Sequence, residues 1–176
     1  MKTVRHILIL AVALLTLTSL IACSAVQSIL KSPKDFAFQE MVLTLDSSFT
    51  EMDVKEHEDR TTFFSLSAVS VIIIKESFEE MADNDVDNPS QYSVADYQKA
   101  FITSNAYDVT YESIEGLSAY TYESESDGDS YKFLVCTYKS ETAFWSVQFM
   151  SPAEDYEKNE AQFIEWAKAI RFEAAA

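Results

Sequence analysis

The chain has 176 residues and is strongly acidic, with 29 Asp and Glu against 13 Lys and Arg and a formal net charge of −16. That balance argues against nucleic acid as a partner, since such affinity rests on Lys and Arg at phosphates, and against anionic head groups without bridging divalent cations. Twelve Phe, nine Tyr and two Trp, all beyond residue 22, point to a packed globule instead of a disordered acidic tail, with the charge serving solubility.

Lys2 and Arg5 form a basic start, after which Ile7 to Ala22 runs without a charge. A retained membrane span needs about 20 apolar residues, and Thr16, Thr18 and Ser19 dilute this one. Leu20-Ile21-Ala22-Cys23 then reads as a lipobox, with a branched apolar residue three before the cysteine and a small one at the cleavage point. Residues 1–22 are therefore expected to be a lipoprotein signal peptide. Cys23 is the expected lipid-attachment residue, its thiol joined to diacylglycerol through a thioether. Two acyl chains anchor stably where one binds marginally. The expected location is the extracytoplasmic side of the cell membrane. Residues 23–35 read as the lipidated cysteine and a tether, and 36–173 as one domain, long enough for a proper core.

Within that domain, Phe36 to Leu45 reads as a first strand ending at Asp46-Ser47-Ser48. Thr61 to Ser67 and Val69 to Lys75 are β-branched and aromatic, and the second is apolar on both faces, as a covered central strand would be. Residues 76–92 read as an acidic loop with one helical turn at Phe78–Met81. Ser93-Val94-Ala95-Asp96 resembles a capping box opening a helix to about Ser104, with Val94, Tyr97, Ala100 and Phe101 inward.

The second half is a meander. Strands over 109–114 and 117–124 are joined by Glu115-Gly116. Ser126-Asp127-Gly128-Asp129 leads into a strand over 131–139, because Asp-Gly supplies the positive φ of a tight hairpin. Ser140-Glu141-Thr142 turns into 143–150. Short turns make these strands antiparallel. Ser151-Pro152-Ala153-Glu154 predicts a helix start, and Tyr156, Phe163, Trp166, Ala167 and Ile170 recur on one face up to residue 170. The fold class is thus α+β: an antiparallel sheet with flanking helices, the last helix on one face and the middle one on the other face or an edge.

Several segments resemble the PsbP-like superfamily, in particular its small bacterial lipoproteins. They are Phe38-Gln-Glu-Met-Val-Leu-Thr-Leu45, Ser93-Val-Ala-Asp-Tyr-Gln-Lys99, Gly116-Leu-Ser-Ala-Tyr-Thr-Tyr122, Phe144-Trp-Ser-Val-Gln-Phe149 and Phe163 to Phe172. They are mostly core positions and speak to fold more than to activity. Relatives of that fold include an extrinsic photosystem II subunit and a factor that binds the Ran GTPase. The resemblance implies a binding or assembly role, and no partner-contact motif here implies either partner.

Candidate chemistry is sparse. With Cys23 lipidated, Cys136 is alone, so no intramolecular disulfide can form, and its β-like surroundings suggest a core thiol. His57, flanked by Glu56, Glu58 and Asp59, has no second ligand at helical spacing and reads as a surface residue. Asp83-Asn84-Asp85-Val86-Asp87 begins like an EF-hand loop, but Asn88 stands where Gly is needed and Val94 where Glu is needed. Asp127 and Asp129 read as turn residues. Trp145, Tyr120, Tyr122 and Tyr138 could line a ligand groove, although cross-strand packing is the simpler role. With Gly116 and Gly128 as its two glycines, the chain has no phosphate-cradling loop.

The expected function is a non-enzymatic, membrane-anchored binding or assembly module of the cell envelope, with no cofactor, no metal site and an envelope protein as partner. The alternative is a small-molecule or metal-ion binding lipoprotein accessory to a transporter. An aromatic-lined pocket would favour the ligand binder, and a flat apolar patch the protein partner.

Overall fold

The computed structural model of the chain describes residues 32–52, 60–64, 68–105, 108–109 and 112–173. The expected signal peptide, Cys23 and His57 lie outside these residues. Among the described residues ten strands form two antiparallel sheets: three strands in the order β1-β2-β10 and seven in the order β3-β4-β5-β9-β8-β7-β6.

The first expected strand is in fact a hairpin, β1 (Pro33–Phe38) and β2 (Met41–Asp46), turning at Gln39-Glu40. Gln39 takes a φ of 52° without the Gly or Asn that usually announces such a turn. Apolar residues on both arms face one core, so the sequence pattern runs through the turn unbroken. Strand β1 opens at Pro33, and the last three residues of the expected 23–35 tether are therefore already sheet. Proline is tolerated there because β1 is an edge strand and Pro33 its first residue.

The large sheet takes its strands in the expected chain order, with the short β3 added ahead of them. β3 (Thr50–Met52), β4 (Arg60–Phe64) and β5 (Ser70–Ser77) meander, followed by helix α1 (Phe78–Asp83), a 3-10 turn at Pro89–Gln91 and helix α2 (Val94–Ser104). The chain then returns through β6 (Glu112–Ile114), β7 (Leu117–Ser126), β8 (Asp129–Lys139) and β9 (Ala143–Pro152). Glu115 and Gly116 have φ of 50° and 87°, Asp127 and Gly128 of 53° and 90°, so both tight hairpins have the doubly left-handed turn suited to twisted strands.

The last helix begins later than expected. Ser151 and Pro152 finish β9, paired with Lys132 and Tyr131 of β8. Ser151 is fully buried and its Oγ donates to its neighbour's carbonyl, Pro152 O, at 3.2 Å instead of capping a helix. A 3-10 turn at Ala153–Asp155 leads into α3 (Tyr156–Lys168), and β10 (Arg171–Phe172) then pairs with β2.

The main core lies between one face of the large sheet, helix α3 and the small sheet. Val71, Ile73, Leu134, Cys136, Trp145, Val147 and Phe149 meet Met41, Leu43 and Leu45 on one side and Phe163, Trp166 and Ala167 on the other. The opposite sheet face carries a smaller cluster, Ile102 of α2 with Tyr120, Phe133 and Val135, flanked by Ile72 and Tyr122. Helix α2 thus covers the second face, with Tyr97, Gln98 and Ile102 buried; Ala100, expected inward, is exposed.

Candidate functional site

The segment after β5 folds into a ledge over the second sheet face. Helix α1 starts on a capping box: Ser77 Oγ accepts from Glu80 N–H at 3.1 Å, and Ser77 N–H donates to Glu80 Oε2 at 2.9 Å. The Ser77 hydroxyl and backbone hydrogen bonds hold the Glu80 carboxyl below its usual range. The helix ends in a Schellman arrangement, with Val86 N–H on Met81 O, Asp85 N–H on Ala82 O and Asp85 at a φ of 63°. The residues that begin like an EF-hand loop are thus a helix end, with Asp85 standing where glycine is commonest.

Lys139 fastens the far end of this ledge. Its ammonium donates to the carbonyls of Ser90 and Tyr92, each at 2.8 Å, and lies 5.3 Å and 5.7 Å from the ring centres of Phe144 and Phe78. Ser93 then opens α2 with a second capping box to Asp96. One turn on, Tyr97 stacks on Phe144 with ring centres 4.4 Å apart and planes 4° from parallel.

Between α1, its connection to α2, α2 itself and β5 lies an open cleft of about 850 Å³. Its floor is Ile74 and Glu76 of β5; Met81 and Tyr92 form one wall, and Tyr97, Ala100 and Phe101 the other. Carboxylates of Glu80, Asp85 and Asp87 stand among its lining residues. The Tyr97 hydroxyl donates to Glu76 Oε2. Burial, and then the Glu76 charge, push the Tyr97 phenol well above its ordinary range, so it stays a donor.

Lys75 also borders the cleft, but its ammonium is engaged elsewhere. It donates to Gln39 Oε1 at 2.6 Å and Glu40 Oε2 at 3.0 Å, and sits 5.1 Å from the Trp145 ring centre. Among the described residues no Lys or Arg forms an ion pair with Glu76, Asp85 or Asp87.

The other candidates are placed differently. Trp145 and Tyr120 are fully buried. Tyr138 donates from its hydroxyl to Ala167 O at 2.8 Å, and Tyr122 stacks on Phe133 at 4.4 Å. These four aromatics pack the two cores, and none of them lines the cleft. Cys136 is a buried free thiol, pushed up to about 12 by burial and so held as the unreactive thiol. Asp127 and Asp129 flank the hairpin glycine as expected. Among the described residues no group of three or more His, Cys, Asp and Glu side chains could hold a metal ion. Met52, 47% exposed, is the one large apolar side chain standing out from the surface of the described residues.

Sequence reasoning missed Glu76, Met81 and Tyr92 as cleft residues. Tyr97 and Phe101 carried a signal, their four-residue spacing on one helix face, but were assigned to packing alone. Nothing in the sequence links Glu76 to Tyr97, which meet across the sheet–helix gap.

No family model matches the sequence, and no curated protein matches it either. Solved structures do. Cyanobacterial PsbP (CyanoP) from Synechocystis superimposes with a TM-score of 0.50 at 11% identity, over 81% of this chain and 94% of that one. A protein from Bacteroides thetaiotaomicron superimposes with a TM-score of 0.53 at 11% identity, over 82% of this chain and 49% of that one. This chain spans about half the length of the Bacteroides protein. The chain has a PsbP-like α+β fold, and at this identity the likeness concerns fold alone. Among the described residues no helix is long and apolar enough to cross a membrane.

Proposed function

We propose that the protein is a lipid-anchored envelope lipoprotein whose domain binds a small organic ligand, without catalysing its conversion, in the cleft between α1, α2 and β5. The observation that carries this reading is the cleft itself: about 850 Å³, floored by Ile74 and walled by Met81, Tyr92, Tyr97 and Phe101. That volume lies within the range of small-molecule sites, which combine apolar walls with a few placed polar groups. A partner-docking face would instead present a contiguous apolar patch, and the described surface offers Met52 alone. A ligand binder held at the membrane suits a role beside a transporter.

Two experiments test the two halves. Cys23→Ala should release the protein from membranes, and continued retention overturns the anchor. Ala100 lies exposed in the cleft wall, so Ala100→Trp should fill the cleft and leave the core untouched. A compound screen read by thermal shift on the full-length protein should yield ligands whose stabilisation grows with concentration and vanishes in Ala100→Trp. A screen in which no stabilisation depends on the open cleft overturns the binding reading.

A further inference from the structure

Glu76 separates this cleft from a merely greasy groove. It is half-buried on the floor, beside Ile74, with one carboxylate oxygen fixed by the Tyr97 hydroxyl. Tyr97 is itself fixed, stacked on Phe144 and almost completely buried. The second oxygen, Oε1, has no hydrogen-bond partner among the described residues, and no ammonium or guanidinium there pairs with the group. The carboxylate is therefore held in one position by a group that neutralises none of its charge.

We infer that the cleft selects an amphipathic organic cation, an amine whose ammonium pairs with Glu76 while its apolar body lies against Ile74, Met81 and the Phe101 ring. This rests on the ligand-binding reading above and narrows it to a chemical class. A neutral apolar ligand would strip water from Glu76 and give nothing back. An anion would meet Glu76 together with Glu80, Asp85 and Asp87, while the ammonium of Lys75, the one lysine that lines the cleft among the described residues, is already bound to Gln39 and Glu40. A bare metal ion needs several converging oxygen ligands, and no such group of side chains exists among the described residues. An ammonium gains both the carboxylate and the faces of the rings around it. The same chemistry is built on the Phe144 ring that Tyr97 stacks against, where the Lys139 ammonium rests on Phe144 and Phe78 and on two carbonyls.

The test uses the full-length protein in detergent and three probes of one shape and different charge: phenethylamine, phenethyl alcohol and hydrocinnamate. Binding is read by saturation-transfer NMR, with Ala100→Trp subtracting contacts outside the cleft. Phenethylamine should bind best, the alcohol more weakly and hydrocinnamate not at all. Glu76→Gln should weaken the amine by about ten- to a hundredfold, as expected for the loss of one charged hydrogen-bond partner, and leave the alcohol unchanged. The charge ranking on the unaltered protein stands by itself should Glu76→Gln fold poorly. Cleft-dependent binding with equal or reversed ranking overturns the cation assignment and leaves the ligand-binding reading standing. Absence of cleft-dependent binding by all three overturns both.

Discussion

Glu40 shows how one exposed-looking turn is tied into the fold. It stands at the β1–β2 turn, where its Oε2 pairs with Lys75 at 3.0 Å and its Oε1 accepts from the Thr142 hydroxyl at 3.0 Å. Burial alone would raise its pKa, but the Lys75 hydrogen bond, its own backbone N–H and the Thr142 hydroxyl outweigh that and hold it below the usual carboxylate range. A carboxyl depressed in the folded state contributes stability above the unfolded carboxyl range, and that contribution is lost as pH falls through the depressed value. Glu40→Gln should therefore cost on the order of 1 kcal/mol near neutrality and flatten the acid limb of a stability–pH curve from urea melts. Gln98 makes the opposite case. It is completely buried on the inner face of α2, yet neither side-chain polar atom has a hydrogen-bond partner among the described residues. A buried amide in that condition costs about 1–3 kcal/mol. Gln98→Met, close in shape, should raise the urea midpoint, and a lowered midpoint would mean that the amide is satisfied in solution.

At the level of elements, legibility followed whether a local signal existed. The Asp127-Gly128 turn was readable because both residues take positive φ, and Asp-Gly is the dipeptide that tolerates it. Gly128→Ala meets no steric clash, since no atom lies within 4 Å of the added Cβ. The strain of a φ of 90° remains, so the substitution should cost about 1–2 kcal/mol in thermal or denaturant melts. The Gln39-Glu40 turn has no such residue; its geometry is imposed by Lys75 and the β8–β9 turn, which are distant in sequence. Helix α3 was misplaced at its start because Ser151-Pro152 has the look of a cap, while pairing with β8 keeps both residues in the sheet. The cleft was the least legible feature. Its acidic rim is visible as Asp83–Asp87, which begins like a calcium loop but lacks that loop's Gly and Glu and reads as a solvated acidic loop; the Schellman end of α1 and the meeting of Glu76 with Tyr97 depend on how α1 and α2 sit over β5.

Across the whole molecule, the two faces of the large sheet are unequal. One face is sealed by α3 and the small sheet over a continuous aromatic core, including Phe149 stacked 5.7 Å from Phe163 and Trp166 set edge-on to Phe49 at 5.3 Å. The other has the smaller cluster around Tyr120 and Val135, an unpartnered Gln98 and the open cleft. Local opening is easiest where few apolar contacts must be broken. Helix α2 should thus detach at a lower free energy than α3, and do so without melting β5, β8 or β9. Amide hydrogen exchange on the full-length protein provides the measurement: α2 amides should exchange well before those of α3 and the central strands. Glu76 and Tyr97 lie on opposite sides of the joint that opens, so a ligand bridging the cleft floor and α2 should slow α2 exchange and leave the α3 face unchanged. Equal protection of α2 and α3 would mean that the smaller cluster holds its face as firmly as the main core does. The cleft would then be a rigid feature of the fold, its entrance independent of helix motion.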